Sequence, residues 1–278
     1  MSNLSTVTDD ITVKRPELWT LMLAVGERRL QFILFTPAQE NSLIAREIPL
    51  KPATSWIAAL ENAVYDNPVL LDDYGRVDIV AAAPHFVVVP PAVAQDEEQA
   101  EQVFTTMYPA DDCDVLSCSL PQCGVAVTYG LPRGMYSFLQ RTFSTAPVVH
   151  HLYPLCEHFK RLNDGSGISR MFINLHQDYM DMVVYRKGDT LLANSFPLRN
   201  ATDAAFLALH TWNSFDLDPL TDEIQLTGDK QLKDEMAPLL RKYVRYVMPA
   251  IYPAAAMRLG DQALTAPLDL ILLATCES

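Results

Sequence analysis

Three groups of side chains in this chain have types and spacings that suggest chemistry. Cys113, Cys118 and Cys123 are evenly spaced, which invites a metal reading because thiolates are ligands of structural zinc. Zinc knuckles, however, bring pairs of ligands roughly two to four residues apart with a fourth ligand nearby. Reduced, partly buried thiols in a reducing compartment are therefore the expectation. His150, His151, Cys156 and His158 form the second group. The two histidines close an apolar stretch and Cys156 shares a helix with His158, so packing and capping explain them without a metal. Asp178 and Asp181 form the third group. Two carboxylates beside a turn suit a hard cation such as Mg²⁺, while exposed turn carboxylates are the ordinary outcome in an acidic protein. Glu27, beside Arg28 and Arg29, reads as decoration of a hairpin turn. No nucleophile-elbow motif assembles Ser, His and Asp into a hydrolytic triad.

The elements that must position these residues begin with a meander. Residues 18–25 read as a strand, Gly26 and Glu27 as a tight turn, and residues 29–35 and 43–50 as the next two strands. Thr54 then caps a helix reaching about residue 67, with Trp56, Leu60, Ala63 and Val64 at helical spacing. Short strands follow at 77–83, 86–89 and 115–119, and Asp96 with Gln99 makes a capping box for a helix from 97 to about 108. Residues 124–130 (GVAVTYG) look buried on both faces and suit a central parallel strand. A helix at 132–143 with Pro in its first turn, a strand at 148–152 and a helix at 154–163 complete the first half. On this reading residues 74–120 are an insertion ahead of the fourth core strand.

Residues 163–167 (NDGSG) read as a linker, rich in residues that favour turns. Beyond them a second meander runs through strands at 171–176, 179–186 and 191–198, with a turn at Lys187, Gly188 and Asp189. Asn200 caps the next helix with Asp203 three residues on, followed by a strand at 223–226, a helix at 231–242 and a strand at 245–248. Residues 268–274 form a last apolar segment. The halves also share a hexapeptide: PLKPAT at 49–54 recurs as PLRNAT at 197–202, about half of the 278-residue chain further on. At the same offset Leu43 meets Leu191, Ile44 meets Leu192, Ala45 meets Ala193 and Ile48 meets Phe196, as a duplicated unit requires.

Composition bounds the function. Hydrophobic residues make up 49% and charged residues 20%, a globular balance. A formal charge of −13 repels phosphate backbones, so nucleic-acid binding is not expected. The opening MSNLSTVTDD has neither the charged nor the apolar region of a signal peptide, and the apolar run at 79–94 is broken by Pro84, Pro90 and Pro91. The expected location is the cytoplasm, without a transmembrane segment.

Two units of meander, helix, strand, helix and strand resemble the actin-like ATPase superfamily, which includes actin, sugar kinases, Hsp70 chaperones and bacterial division and pilus-assembly proteins. Across nearly its whole length the chain also resembles an uncharacterised bacterial domain-of-unknown-function family with that fold, to which residues 267–277 (PLDLILLATCE) add. The resemblance implies an α/β protein: duplicated ribonuclease H-like units forming a bilobed actin-like ATPase fold. The first lobe would span 11–163 with the insertion at 74–120, the hinge 163–167 and the second lobe 168–278.

An active member of the superfamily carries an acidic residue near the end of the first strand of each half, with glycines in the following turn. Mg²⁺ needs carboxylates, and phosphates need close backbone N–H donors. Here no Asp stands between Asp10 and Asp66, so the first phosphate loop matches only in Gly26. The second loop reads Asn174, Leu175, His176 where Asp-x-Gly is required, and the adenosine-loop double glycine reads Gly228, Asp229. The expectation is a degenerate nucleotide site of Gly26, Asn174, His176, Gly228 and Asp229 with no catalytic residue, no metal and no cofactor. A protein-binding or scaffolding role with an unidentified protein partner follows. The alternative is an ATPase binding ATP and Mg²⁺ through atypical ligands; for a sugar or acetate kinase no catalytic base can be named.

Overall fold

Apolar residues fill every position of the strand Thr20–Val25 (β1) except Thr20, and all six are buried, as a strand covered on both faces must be. In the computed structural model, which describes residues 4–6, 8, 11–144 and 146–276, β1 pairs antiparallel with Arg29–Phe35 (β2). That strand pairs antiparallel with Ile44–Pro49 (β3), so the first meander forms as expected. The helix Trp56–Tyr65 (α1) follows, capped by Ser55 rather than Thr54: the Ser55 side chain accepts from the Ala58 amide. The strand Arg76–Ala81 (β4) then returns parallel to β1.

Next come Phe86–Val89 (β5), Pro91–Ala94 (α2), Glu97–Met107 (α3), Cys113–Leu120 (β6), Val125–Pro132 (β7), Met135–Thr142 (α4) and Val148–His150 (β8). Asp96 caps α3 by accepting from the Gln99 amide at 3.1 Å, and the Gln99 side chain donates to the Asp96 carboxylate at 2.7 Å; the Asp96 amide donates to Val93 O, so the reciprocal half of the expected capping box is not formed. GVAVTYG becomes a central strand, but of a separate three-stranded sheet ordered β5-β7-β6. The fourth and fifth strands of the main sheet are β4 and β8, in the order β3-β2-β1-β4-β8. The inserted segment therefore lies between β4 and β8, not at 74–120. An apolar run buried on both faces has the same pattern in either sheet, which is why the pattern misplaced it. Helix α4 starts at Met135 rather than 132 because Pro132 still belongs to β7 and Gly134 turns the chain at φ 84.

The second half repeats this plan. After Leu152–Asn163 (α5) come Arg170–Leu175 (β9), Tyr179–Arg186 (β10), Asp189–Pro197 (β11), Ala201–Ser214 (α6), Glu223–Gly228 (β12), Lys230–Leu240 (α7), Tyr246–Pro249 (β13), Ala254–Leu259 (α8) and Leu268–Cys276 (α9). The sheet order β11-β10-β9-β12-β13 reproduces that of the first sheet strand for strand. The repeated hexapeptide marks corresponding places: Pro49 stands opposite Arg29 and Pro197 opposite Tyr179, each the first residue of the preceding strand. Lys187 and Gly188 turn the β10–β11 hairpin at positive φ, and Asn200 caps α6 by accepting from the Asp203 amide at 2.9 Å.

Contacts divide the chain into two units. One holds the described residues up to Cys118, with 127–154 and 252–276; the other holds 119–126 and 155–251. Residues 163–167 fall inside the second of these, as the last residue of α5 and the start of the connection to β9. In the second unit Met171, Ile173, Leu175, Met180, Met182 and Val184 form one sheet face, covered by Ala204, Ala208 and Trp212 of α6 and Met236 and Leu240 of α7. Alternation sends Phe172, Asn174, Asp181 and Tyr185 to the opposite face. There Phe159 of α5 stacks on Phe172 with centroids 3.9 Å apart.

Registers make the two sheets comparable residue by residue. Arg76 stands opposite Thr20 as Glu223 stands opposite Arg170, so Ala24 is the counterpart of Asn174. Gln31 pairs with Ala24 as Asp181 pairs with Asn174. In the first unit Met22 and Ala24 pack in one cluster with Leu270, Ile271 and Leu273 of α9. The C-terminal helix thus covers, in its unit, the face that α5 covers in the other. Each fully buried leucine or isoleucine there contributes about 1.5–3 kcal/mol relative to exposure.

Candidate functional site

Asn174 is the fifth residue of β9 and Asp181 faces it on β10, so the sheet register alone brings the amide beside the carboxylate. His176 follows the end of β9; its amide donates to Tyr179 O at 2.9 Å and its ring stacks on Tyr179 with centroids 4.1 Å apart. This hairpin aims the imidazole back over the strand. His176 Nε2 reaches Asp181 Oδ2 at 2.8 Å, and Asn174 Nδ2 lies 2.9 Å from the same ring nitrogen and 3.4 Å from that oxygen. Ser195 of β11 donates its hydroxyl to Asp181 Oδ1.

Asp181 is 1% exposed and Asn174 5%. A carboxylate that deep is tolerated only when its lone pairs are used, and the two neighbouring strands and the turn after β9 each supply a polar partner. Nε2 plays one in-plane hydrogen-bonding role at a time: it either donates to Asp181 or accepts from Asn174. An ionised carboxylate has no proton to offer, so the arrangement that satisfies Asp181 has Nε2–H donating to it.

Gly228 ends β12 at φ 89, and a Cβ there would lie 2.1 Å from the Leu175 carbonyl oxygen. Glycine is what allows the β12 end to cross that peptide. Asp229 follows: its amide donates to Leu175 O at 2.8 Å and its side chain accepts from the Leu232 amide at 3.0 Å, capping α7. Asn174, His176, Gly228 and Asp229 are therefore gathered around the C-terminal ends of two adjacent parallel strands. Gly26 belongs to the other unit, at the β1–β2 turn, where its amide donates to Arg29 O at 3.0 Å. A Cβ there would meet only ordinary contacts of 3.5 Å and 3.6 Å.

The other sequence-flagged groups find structural employment. Asp178 is exposed on the β9–β10 turn while Asp181 is buried, and among the described residues no three His, Cys, Asp or Glu side chains gather to hold a metal ion. The Ser195 hydroxyl donates to Asp181 and not to His176, so the contact order offers no base to a serine nucleophile. His150 Nε2 bonds Ala83 O at 2.8 Å and His151 Nδ1 accepts from the Ala83 amide at 3.3 Å, which ties the end of β8 to the chain beyond β4. A cavity of about 260 Å³ lined by Leu209, Trp212, Pro219 and Tyr243 contains none of the expected site residues. Sequence reasoning missed Ser195 as a partner of Asp181, since nothing local links positions on different strands. No helix among the described residues is long and apolar enough to cross a membrane.

Two meander-and-helix units of identical strand order define an actin-like ATPase fold. The chain superposes on a protein of unknown function with that fold from Bacteroides thetaiotaomicron VPI-5482 with a TM-score of 0.78, at 24% identity over 94% of this chain and 97% of that one. It is also similar to a chain of the PilM–PilN type IV pilus biogenesis complex, with a TM-score of 0.56 at 14% identity, covering 91% of this chain and 98% of that one. Residues 8–247 match the family described as protein of unknown function DUF3822, and the chain belongs to that family. Among curated proteins nothing matches it.

Proposed function

We propose that this chain is a pseudo-ATPase: an actin-like-fold protein with a degenerate nucleotide site, acting in the cytoplasm as a protein-binding or scaffolding module. The observation that carries the reading is the pair of equivalent strand positions Ala24 and Asn174, neither of which is charged. A Mg²⁺-triphosphate without carboxylate ligands at those strand ends loses its main electrostatic anchor. Three further features support the reading. The His176 ring stands where the superfamily pattern requires glycine, Asp229 is used as a helix cap, and a net charge of −13 opposes a polyanionic ligand. A protein-binding role also suits the PilM neighbour, whose structure is a complex with PilN.

One observation favours the alternative, an ATPase with unorthodox ligands. Asp181 stands directly opposite Asn174 and places a carboxylate one strand away from the expected position. Titration calorimetry with Mg·ATP separates the two readings. The pseudo-ATPase gives no heat in the micromolar range and no phosphate release, whereas micromolar binding abolished by Asp181→Asn establishes the ATPase.

A further inference from the structure

Cys123 and Cys156 are 33 residues apart in the chain and lie side by side in the second unit, where nothing in the proposed function uses them. Cys123 ends a single 3-10 turn, Pro121–Cys123, and is half-buried; Cys156 sits on α5 and is fully buried. Two anchors hold the turn against the helix. The Gln122 amide donates to Glu157 Oε1 at 3.1 Å, joining the neighbours of the two cysteines. Tyr185 Oη donates to the Cys156 carbonyl at 3.1 Å and lies 3.7 Å from Cys123 Sγ. Both thiols are unbridged.

The surroundings make the two sulfurs unequal. A hydrogen bond from the Cys156 thiol, which outweighs the opposing effect of burial, brings the Cys123 thiol down to about 6, and Cys156 is pushed well above the ordinary range. Thr190 Oγ1, buried beside Cys123 without a hydrogen-bond partner, is a further donor available to a thiolate. A partly exposed thiol of lowered pKa next to a fully buried one of raised pKa is the arrangement in which one sulfur reacts and the other resolves.

We propose that Cys123 and Cys156 are a modification site that forms a reversible disulfide with hydroperoxides, Cys123 reacting first and Cys156 resolving. The Cys123 thiolate attacks one peroxide oxygen; an S–O bond forms, the O–O bond breaks, and the departing hydroxide or alkoxide takes up a proton. Cys156 then loses its proton and attacks the Cys123 sulfur; the S–S bond forms, the S–O bond breaks, and that proton leaves with the hydroxide as water. Two thiols are oxidised by two electrons in all and one hydroperoxide is reduced. A dithiol returns the pair by thiol–disulfide exchange.

The test treats the full chain with hydrogen peroxide, blocks remaining thiols by alkylation and maps the peptides by mass spectrometry. The expected result is loss of the Cys123 and Cys156 thiols into one cross-linked peptide pair before Cys113 or Cys118 changes, with recovery of both in dithiothreitol. In Cys156→Ser, Cys123 stops as a sulfenic acid that dimedone captures. Earlier oxidation of Cys113 or Cys118, or oxidised Cys123 without the cross-link in the unmodified chain, overturns the proposal. The map of the unmodified chain decides the matter even if a variant fails to fold.

Discussion

His176 Nε2 and Asp181 Oδ2 are 2.8 Å apart, and the contact joins the end of one central strand to a fully buried carboxylate on the next. It occupies both groups that chemistry at this strand end would call on. Removing the carboxylate takes away the acceptor of the Ser195 hydroxyl and the partner of His176 Nε2 in this contact, while Asn174 Nδ2 keeps His176 Nε2 at 2.9 Å. Asp181→Ala is expected to cost about 1–3 kcal/mol, because hydrogen bonds to a buried charged group are lost. Asp181→Asn, which keeps the shape, should cost less. Urea unfolding of the three proteins measures the difference, and a neutral Asp181→Ala would mean that the network contributes nothing.

Restoring the superfamily pattern in one loop should not restore activity. The double variant Asn174→Asp, His176→Gly places a second carboxylate beside Asp181, yet Ala24 and Asp229 remain as they are. Phosphate release with Mg·ATP is expected to stay at background. Turnover appearing in this variant would show that the second loop alone limits the site.

The two glycines expected at the nucleotide site should respond oppositely to a methyl group. Gly228→Ala drives a Cβ into the Leu175 backbone at a positive φ, and a loss of about 2–4 kcal/mol is expected. Gly26→Ala meets no contact closer than 3.5 Å and should lie within about 1 kcal/mol of the parent. Thermal or urea melts of the two variants check the contrast, and equal effects would remove it.

His158 supplies a pH dependence with a definite sign. Its Nε2 is buried without a hydrogen-bond partner, and burial is the main cause that lowers its pKa below 6.5. The unfolded chain therefore binds the proton more readily than the folded one. The stability contribution is complete above the unfolded pKa, near 6.5, and is lost as pH falls below it. Between about pH 7 and pH 5.5 the parent should lose more stability than His158→Gln. Parallel pH profiles for the two proteins would contradict the assignment.

Local signals in the chain were enough for the meanders, because alternation along a strand and a glycine or charge at a turn act over only a few residues. The β2, β5 and β10 bounds, the Asp96 and Asn200 caps and the equivalence of PLKPAT with PLRNAT are all of this kind. The Asn174 and His176 substitutions were legible too, since they depend only on place within a motif. What tertiary structure decided was partnership. GVAVTYG sits in the small sheet and α9 in the core beside β1, because an apolar segment carries no mark of which apolar face it will cover. Asp181 reaches Asn174 through β-sheet register, and Cys123 reaches Cys156 because a turn is pinned against a helix. Hydrogen bonds between distant segments form only after the faces have packed, so no spacing within the chain announces them.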